Sequence, residues 1–389
     1  MNFLAMWCGA FLLAIGVRCP AQGTYVVNPS GFGGFNDITT AVASVPDGST
    51  LLVFPGTYAP VVIDGKSVSI LCSDNVFANG STYLEIKNLT ASQRSVVRGL
   101  RPSSAASGIF VRDVAGHAAI DHPGPPLVLT GPGALASPCV VVNVAQFFLR
   151  GFVLAGETGT SVTASHVVFE SCTFTANNPV SGSGSGLSAT DSNVQALRCS
   201  FTGANGMVIP KFGTYPGGPG VLLINSLFRA AGRSTDRIAA GTSPGLGFAV
   251  PPIDGSGNAR VEPAILLVGA PVVLPMTRPQ LPSLLATSAP PGGVMQVTRL
   301  GAIGIAYAIA ISLPAPTSNV PGVVDPVWLD PNAMYVEGFG ISYGTNQFQL
   351  QKPVPSSVSL RGLEVVWQSF DFNLGGGIAA SNASVAVIQ

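Results

Sequence analysis

The feature of this sequence that most constrains its fold is a repeat in the middle of the chain. Residues 165–177 align without gaps with residues 192–204, an offset of 27 residues, and looser copies lie upstream around Gly99 and Gly151. Imperfect self-similarity on this scale is typical of a solenoid, in which each repeat buries its apolar face only against its neighbours. The sequence therefore predicts stacked coils whose short β-strands pair in register from one coil to the next.

The repeat places Cys172 over Cys199 and Phe174 over Phe201 as interior ladders. Parallel strands lie about 4.8 Å apart, which is within the Cα separation that a disulfide tolerates. A stacked pair of cysteines also serves as two small buried hydrophobic residues. We keep both interpretations and take Cys172 and Cys199 as the candidate disulfide.

A short amphipathic helix precedes the coils. Ile38, Ala41, Val42 and Val45 follow the i, i+3, i+4, i+7 spacing of a helix face, after Asn36 or Asp37 as the cap. Strands over residues 50–54 and 58–63 follow at once. A helix in this position would cover the open strand edge of the first coil, where exposed backbone groups invite aggregation.

A family resemblance rests on these residues. The run GFGGFNDITTAVASVPDGSTLLVFPGTYAPVVIDGKSVSILC, residues 31–72, resembles the N-terminal coil of the pectin lyase-like superfamily, and most of all pectinesterases and related secreted β-helix proteins. The resemblance implies an all-β chain with a right-handed parallel β-helix over residues 22–270. The resemblance indicates the fold but not a catalytic activity, because enzymes, adhesins and proteins of unknown role share this N-terminal coil.

The C-terminal part of the chain, residues 271–389, has a different pattern. Prolines punctuate its start, and longer alternating strands follow over residues 295–300, 304–313, 347–351, 356–360 and 363–370. This spacing predicts a small antiparallel β-sandwich. The closing residues resemble a module of secreted planctomycete-type bacterial proteins, with Gly362, Gln368 and the pair Ser381–Asn382 at its characteristic positions.

Composition and the N-terminus indicate where the protein acts. Only 9% of residues are charged, with 18 basic and 18 acidic residues and no basic cluster, which excludes nucleic acid as a partner. Residues 3–17 are apolar and a small-residue pattern precedes Gln22, so residues 1–21 read as a signal peptide. We expect a secreted, extracellular or cell-surface protein that meets a membrane only if this segment stays uncleaved.

The resemblance also suggests which catalytic motifs to seek. Pectinesterases use paired aspartates with an arginine, and galacturonan hydrolases of the same fold carry NTD, DD, GHG and RIK strings. The pectinesterase strings are absent between residues 100 and 250, and only fragments such as Gly116–His117 and Arg237–Ile238 echo the hydrolases. Lyases of this fold use Ca²⁺ held by acidic clusters, but the acids here are spread singly. We expect no cofactor, with Ca²⁺ only if the chain is a lyase.

One polar patch remains as a candidate site. The candidate catalytic residues are Asp113, His117 and Asp121, and the candidate substrate-binding residues are Arg94, Arg98, Arg112 and His122. If these side chains project from one face, Asp113 and Asp121 can bind a cation or orient His117 as a base. The alternative is a solvated loop between coils, because glycine and proline residues surround the patch.

Two functions follow from these observations. The first is a β-helix protein that binds polysaccharide or cell-envelope components without catalysis. The second is a divergent polysaccharide-active enzyme, a lyase or hydrolase of uronate-type glycans, with its site near the patch.

Overall fold

A computed structural model describes residues 23–131, 137–177, 184–209, 213–243, 249–330, 332–342, 346–372 and 377–389. The predicted signal peptide lies outside these residues. Within the described ranges, no helix has the length and apolar character needed to cross a membrane.

The predicted helix forms over Ile38–Ser44. The Asp37 side chain caps its N-terminus by accepting a hydrogen bond of 3.0 Å from the Thr40 backbone N–H. Ile38, Ala41 and Val42 are buried and belong to the apolar core of the coils. The amphipathic spacing thus identified both the element and its buried face.

Parallel strands stack into coils from Thr24 to Thr277, a region called the solenoid below. Each full coil passes through three faces. The first face consists of Val61–Asp64, Thr82–Lys87, Thr160–Thr163, Leu187–Thr190 and the first parts of Gly108–Asp121, Cys139–Arg150, Val221–Ala231 and Ile253–Val261.

The second face consists of Thr24–Val27, Gly34–Phe35, Ser49–Val53, Val68–Cys72, Arg94–Arg98, His166–Glu170, Asn193–Leu197, Met276–Thr277 and the second parts of the same four long strands. The third face consists of Gly56–Tyr58, Val76–Ala78, Arg101–Pro102, Leu127–Leu129, Phe152–Gly156, Thr173–Ala176, Ser200–Thr202, Arg237–Ala239 and Leu266–Val268. A short antiparallel hairpin, Met207–Ile209 with Gly213–Tyr215, projects from the coils.

The repeat read from the sequence sets the register of these coils. His166 pairs with Asn193 and Phe174 pairs with Phe201, at the offset of 27 residues. The two phenylalanine rings stack inside the solenoid with centroids 4.7 Å apart and an interplanar angle of 3°. The prediction of stacked, in-register coils is confirmed.

Asparagine and aspartate mark the corners between the first and second faces. Asp113, Asn143, Asp191 and Asn225 have φ between 48° and 55°, the left-handed region that these residues tolerate best after glycine. The Asn143 amide donates to Asp113 Oδ1 at 3.2 Å, and the Asn225 amide donates to Asp191 Oδ1 at 2.7 Å. Corner side chains therefore link the coils of Asp113 and Asn143, and those of Asp191 and Asn225.

The C-terminal module, residues 283–389, is built from antiparallel strands. One sheet contains Ser283–Ala286, Val294–Leu300 and Gln347–Pro353; a second contains Tyr335–Ile341, Ala306–Ser312, Glu364–Phe372, Ile378–Ala380 and Ser384–Val387; Pro314–Ser318 pairs with Val327–Leu329. The strand predicted over residues 356–360 is wrong. Val358–Leu360 forms a 3₁₀ turn, because residues 356–359 are exposed and lack a neighbouring strand with which to pair.

The residues that characterise the C-terminal resemblance form a buried network. The Gln368 amide donates to the carbonyls of Pro326 and Ser381, and its Oε1 accepts from the Trp328 backbone N–H at 3.0 Å. Asn382 likewise pairs with both backbone groups of Leu284. These side chains hold loops and strands of the module together by satisfying buried backbone groups.

Gly362 lies at a close contact between the module and the solenoid. Its φ is +79°, and a Cβ at this position would lie 2.5 Å from Thr50 Oγ1 and 2.8 Å from Ser69 Cβ. Ser69 Oγ donates to the Gly362 carbonyl at 2.8 Å. Only glycine combines this backbone conformation with such close contact.

Candidate functional site

The C-terminal module covers the outer surface of the second face. In Arg94–Arg98, His166–Glu170 and the five-residue second parts of Gly108–Asp121 and Cys139–Arg150, the third side chain points outward at the centre. Four of these central residues, Val96, Ala119, Phe148 and Val168, share an apolar cluster with Val327, Trp328, Leu329, Val366 and Val385 of the module. We call this contact the covered strip. The first and fifth side chains of the same strands flank it on either side.

The fifth positions form a ladder of alternating charge. Arg98, Asp121, Arg150 and Glu170 are in register on four successive coils. Arg98 pairs with Asp121, and Arg150 Nε lies 2.7 Å from Glu170 Oε1. Opposite charges in successive coils compensate one another, so the whole ladder is buried or nearly so at the edge of the covered strip.

This ladder also binds the C-terminal module. Arg150 donates to the Val385 carbonyl at 2.8 Å, and Ser384 Oγ donates to Glu170 Oε2 at 3.0 Å. Farther along, Arg229 donates to the carbonyls of Ala380 and Pro282 and pairs with Asp325. The ion pairs of the second face therefore hold the two parts of the protein together.

A cleft of about 440 Å³, called the arginine cleft below, opens beside the ladder. It brings together Arg98, Asp121 and His122, three of the residues singled out in the sequence, with Arg150 and Arg198. Its size falls within the range of small-ligand sites, about 300–1,000 Å³. Nε of Arg198 is buried and has no hydrogen-bond partner among the residues that the structure describes.

The charges of the arginine cleft leave it with excess positive potential. Burial and the neighbouring Arg150 lower the pKa of Arg98 to about 10. Burial, together with Arg233, also lowers the pKa of Arg198. The pKa of His122 falls because of burial and the nearby Arg101. Burial is the largest cause of all three shifts, so they report desolvated cations. The lining has three arginines against the carboxylates of Asp121 and Glu170, so the cleft favours an anionic ligand.

His117 lies on the other side of the covered strip, at the first position of its strand. It is 2% exposed, with Nε2 2.6 Å from Glu364 Oε1 and Nδ1 3.1 Å from Gln146 Oε1. Glu364 belongs to the C-terminal module, so this contact joins the two parts of the chain. The ring also meets Trp328 edge-on, with centroids 6.4 Å apart.

The remaining candidate residues are dispersed. Asp113 is an exposed corner residue that contacts Asn143 and Arg112. Arg112 pairs with Glu85 on the first face at 3.1 Å. Arg94 is in register with His117. The structure thus separates Asp113 and Arg112 from His117, and His117 and Asp121 lie at opposite ends of a five-residue stretch of one strand.

The alternative of a solvated loop is wrong for most of the patch. Residues 108–121 form a strand, and His117, Asp121 and His122 are buried, because the C-terminal module covers this surface. Only Pro123–Pro126 lie in an exposed turn. The assignment of Asp113, His117 and Asp121 to catalysis stays a prediction. Among the described residues, no group of three or more His, Cys, Asp or Glu side chains is placed to hold a metal ion. The expectation about Ca²⁺ stays a prediction.

The two stacked cysteines are free thiols in the structure. Cys199 Sγ accepts a hydrogen bond of 3.4 Å from the Cys172 backbone N–H, and both side chains are buried. Burial and the neighbouring Cys172 raise the pKa of the Cys199 thiol, which suppresses the reactive thiolate. The bridge between them stays a prediction.

The C-terminal module contains three aromatic residues, Tyr335, Tyr343 and Trp367, that would suit glycan binding if their rings were exposed. Trp367 is fully buried in the module's core, so it does not offer a face to a ligand. Tyr335 is 38% exposed, and Tyr343 lies outside the described residues.

Sequence reasoning missed Arg150, Glu170, Arg198 and Glu364. A signal for the first two was present in the pentapeptides RSVVR, HAAID, QFFLR and HVVFE, each of which carries a polar residue first and a charged residue last. Their spacing is irregular, because the corners differ in length, so the alignment of the 27-residue repeat did not reveal it. No sequence pattern indicated a role for Glu364, since its partner His117 lies 247 residues away in the chain.

Comparisons with known proteins add little to this description. No family model matches the chain, and no curated protein does. Among solved structures, the chain is similar to the full-length tailspike protein 2 from Escherichia coli O157:H7 bacteriophage CAB120, at 11% identity and a TM-score of 0.24. The match covers 92% of this chain and 68% of the tailspike chain. A likeness this low carries no functional inference.

Proposed function

We propose that this protein is a secreted or cell-surface β-helix protein that binds acidic glycans in the arginine cleft without cleaving them. The observation that carries the proposal is the composition of the cleft. Arg98, Arg150 and Arg198 share it with only two carboxylates, those of Asp121 and Glu170. Both carboxylates are bound by arginines, so Arg198 offers a cation to a ligand.

A finer architecture goes with this proposal. The coils wind right-handed, as the resemblance to pectin lyase-like proteins implies, and the C-terminal module is a β-sandwich that anchors to the solenoid. In this arrangement the module gives the cleft its second wall, since Ala286, Thr287 and Thr298 line it from that side. A polysaccharide then binds between solenoid and module rather than along an open face.

The test is a calorimetric titration with tetragalacturonate and with the neutral galactose tetrasaccharide. The acidic ligand should bind, and Arg198→Gln should weaken its binding at least about tenfold, since a hydrogen bond to a charged group contributes about 1.5–3 kcal/mol. Arg237→Gln is the matched control, because Arg237 is an exposed arginine on the third face. Equal binding of the neutral tetrasaccharide, or an Arg198→Gln variant that keeps full affinity, would overturn the proposal.

The alternative function is a divergent polysaccharide-active enzyme. The observation in its favour is the pairing of His117 with Glu364, a buried imidazole and carboxylate 2.6 Å apart. Uronate cleavage by the full chain, lost on Asp113→Ala or His117→Ala substitution, would establish this alternative. Binding without products supports the first function.

A further inference from the structure

A second cleft of about 440 Å³ lies across the covered strip from the arginine cleft. Residues at the start of the solenoid form one wall, and residues of the C-terminal module form the other. Its ionisable lining residues include Asp47 and Arg94 of the solenoid and Asp330 and Glu364 of the module. Three carboxylates against one arginine make this the acidic cleft.

Glu364 has an unused acceptor at this cleft. The residue is 5% exposed, and only its Oε1 is bound, by His117. Its Oε2 is buried and has no hydrogen-bond partner among the residues that the structure describes. A buried carboxylate oxygen without a hydrogen bond is destabilising, so a ligand that donates to it would be bound favourably.

The hydroxyl groups that line the cleft also offer acceptors. Thr50 Oγ1 donates to the Arg361 carbonyl, Ser69 Oγ to the Gly362 carbonyl and Ser67 Oγ to the Arg94 carbonyl. Each hydroxyl proton is thus engaged, while the oxygen keeps a lone pair free.

The donors of Gln93, which also lines the cleft, are engaged in the same way. Its amide nitrogen donates to Asp47 Oδ2 and to the Gly65 carbonyl, and its Oε1 accepts from the Thr90 backbone N–H. Its donors are therefore engaged as well. A ligand that fits this cleft must bring hydrogen-bond donors of its own.

Charge narrows the class of ligand further. Lys66 approaches Asp47 at 3.8 Å, whereas Asp330 and Glu364 have no arginine or lysine ion-pair partner within 4.0 Å among the described residues. In the part of the chain that the structure describes, no group of three or more His, Cys, Asp or Glu side chains is placed to hold a metal ion. A donor-rich organic cation does fit, and the hydroxyl oxygens suit the hydroxyl groups of a sugar.

We propose that the acidic cleft binds an amino sugar, whose ammonium group is held by Glu364 and Asp330 and whose hydroxyl groups donate to the oxygens of Thr50 and Ser69. This site is separate from the arginine cleft, and it stands whether or not acidic glycans bind there.

The test is calorimetry at about pH 6, where a sugar amine is protonated. The β-1,4-linked glucosamine trimer should bind, and the N-acetylated trimer, which has the same hydroxyl groups without the ammonium, should bind at least tenfold more weakly. Glu364→Gln should weaken glucosamine trimer binding about tenfold, equivalent to ~1.4 kcal/mol. This variant keeps an oxygen for His117, and near-ultraviolet circular dichroism checks that it is folded.

Two further variants separate loss of ligand binding from disruption of the His117–Glu364 pair. Asp330→Asn should also weaken binding while leaving the His117–Glu364 pair intact, and Asp254→Asn, an exposed acid on the last coils, should leave binding unchanged. No binding of the glucosamine trimer, equal binding of both trimers, or unchanged affinity in both cleft variants would overturn the proposal. Equal binding of Nα-acetyl-lysine amide would refute a preference for sugars.

Discussion

Asp121 lies between two arginines, Arg98 on the preceding coil and Arg150 on the following one. Its carboxylate is 3% exposed and bound, whereas Asp113, eight residues earlier on the same strand, is a half-exposed corner residue. The two aspartates look alike in sequence. Their different environments arise from the coil above, the coil below and the module that packs against only one of them.

At the scale of single residues, we predict that His122 makes stability depend on pH. Burial lowers its pKa from the usual value of 6.5, so the unfolded chain takes up a proton at higher pH than the folded chain does. The protein should lose stability as pH falls below about 6.5 and gain nothing from this group above that value. Urea unfolding at several pH values measures the slope.

His122→Gln should flatten that slope relative to the unmodified chain. Gln296→Asn, a substitution at the same cleft without an ionisable group, should keep it. An unchanged slope in His122→Gln would show that His122 does not link protonation to folding.

At the scale of single elements, the amphipathic helix and the corners between the first and second faces differ in how far the sequence predicts them. The helix was predicted from its spacing and forms as expected, because its periodicity and its cap are local properties. The corner positions were not predicted, because a left-handed conformation at Asn225 or Asp191 depends on where the next strand begins. The same holds for residues 356–360, whose alternation indicated a strand but which have no neighbouring strand for pairing.

Asn225 tests the corner. Its φ is 49°, and its amide binds Asp191 on the preceding coil. Asn225→Val should destabilise the protein by about 1–2 kcal/mol, because a β-branched residue is strained in this region. Asn225→Gly should cost less, since glycine adopts the conformation freely and loses only the hydrogen bond.

Chemical denaturation of both variants separates the two effects. If valine and glycine destabilise equally, the hydrogen bond rather than backbone strain accounts for the loss.

At the scale of the whole molecule, the C-terminal module closes the second face of the solenoid. The covered strip is apolar, and ion pairs and the His117–Glu364 contact flank it. Both clefts exist because the module covers the centre of this face and leaves its edges open. Solenoid and module therefore have a shared core as well as shared sites.

Trp328 is the largest side chain in that shared core and is 1% exposed. Trp328→Ala should cost about 3–5 kcal/mol and separate the unfolding of module and solenoid into two transitions. Circular dichroism and intrinsic fluorescence, followed together in urea, detect the separation.

The matched control is Phe339→Ala, which removes an aromatic ring that is 86% exposed. It should change stability by about 0.5 kcal/mol or less and keep a single transition. Coincident transitions in Trp328→Ala, with little loss of stability, would show that the covered strip does not couple the two parts.

The sequence by itself determined the features that depend on neighbouring residues and on the repeat: the short helix, the stacked coils with Phe174 over Phe201, and the change to antiparallel strands near the C-terminus. Only the tertiary structure determined which residues come together at the candidate sites. Arg98, Asp121, Arg150 and Glu170 meet through coils of unequal length, and His117 meets Glu364 from 247 residues away. The periodicity of a helix or repeat depends only on the spacing of nearby residues. A cleft between two packed surfaces depends on how the whole chain folds to bring those surfaces together.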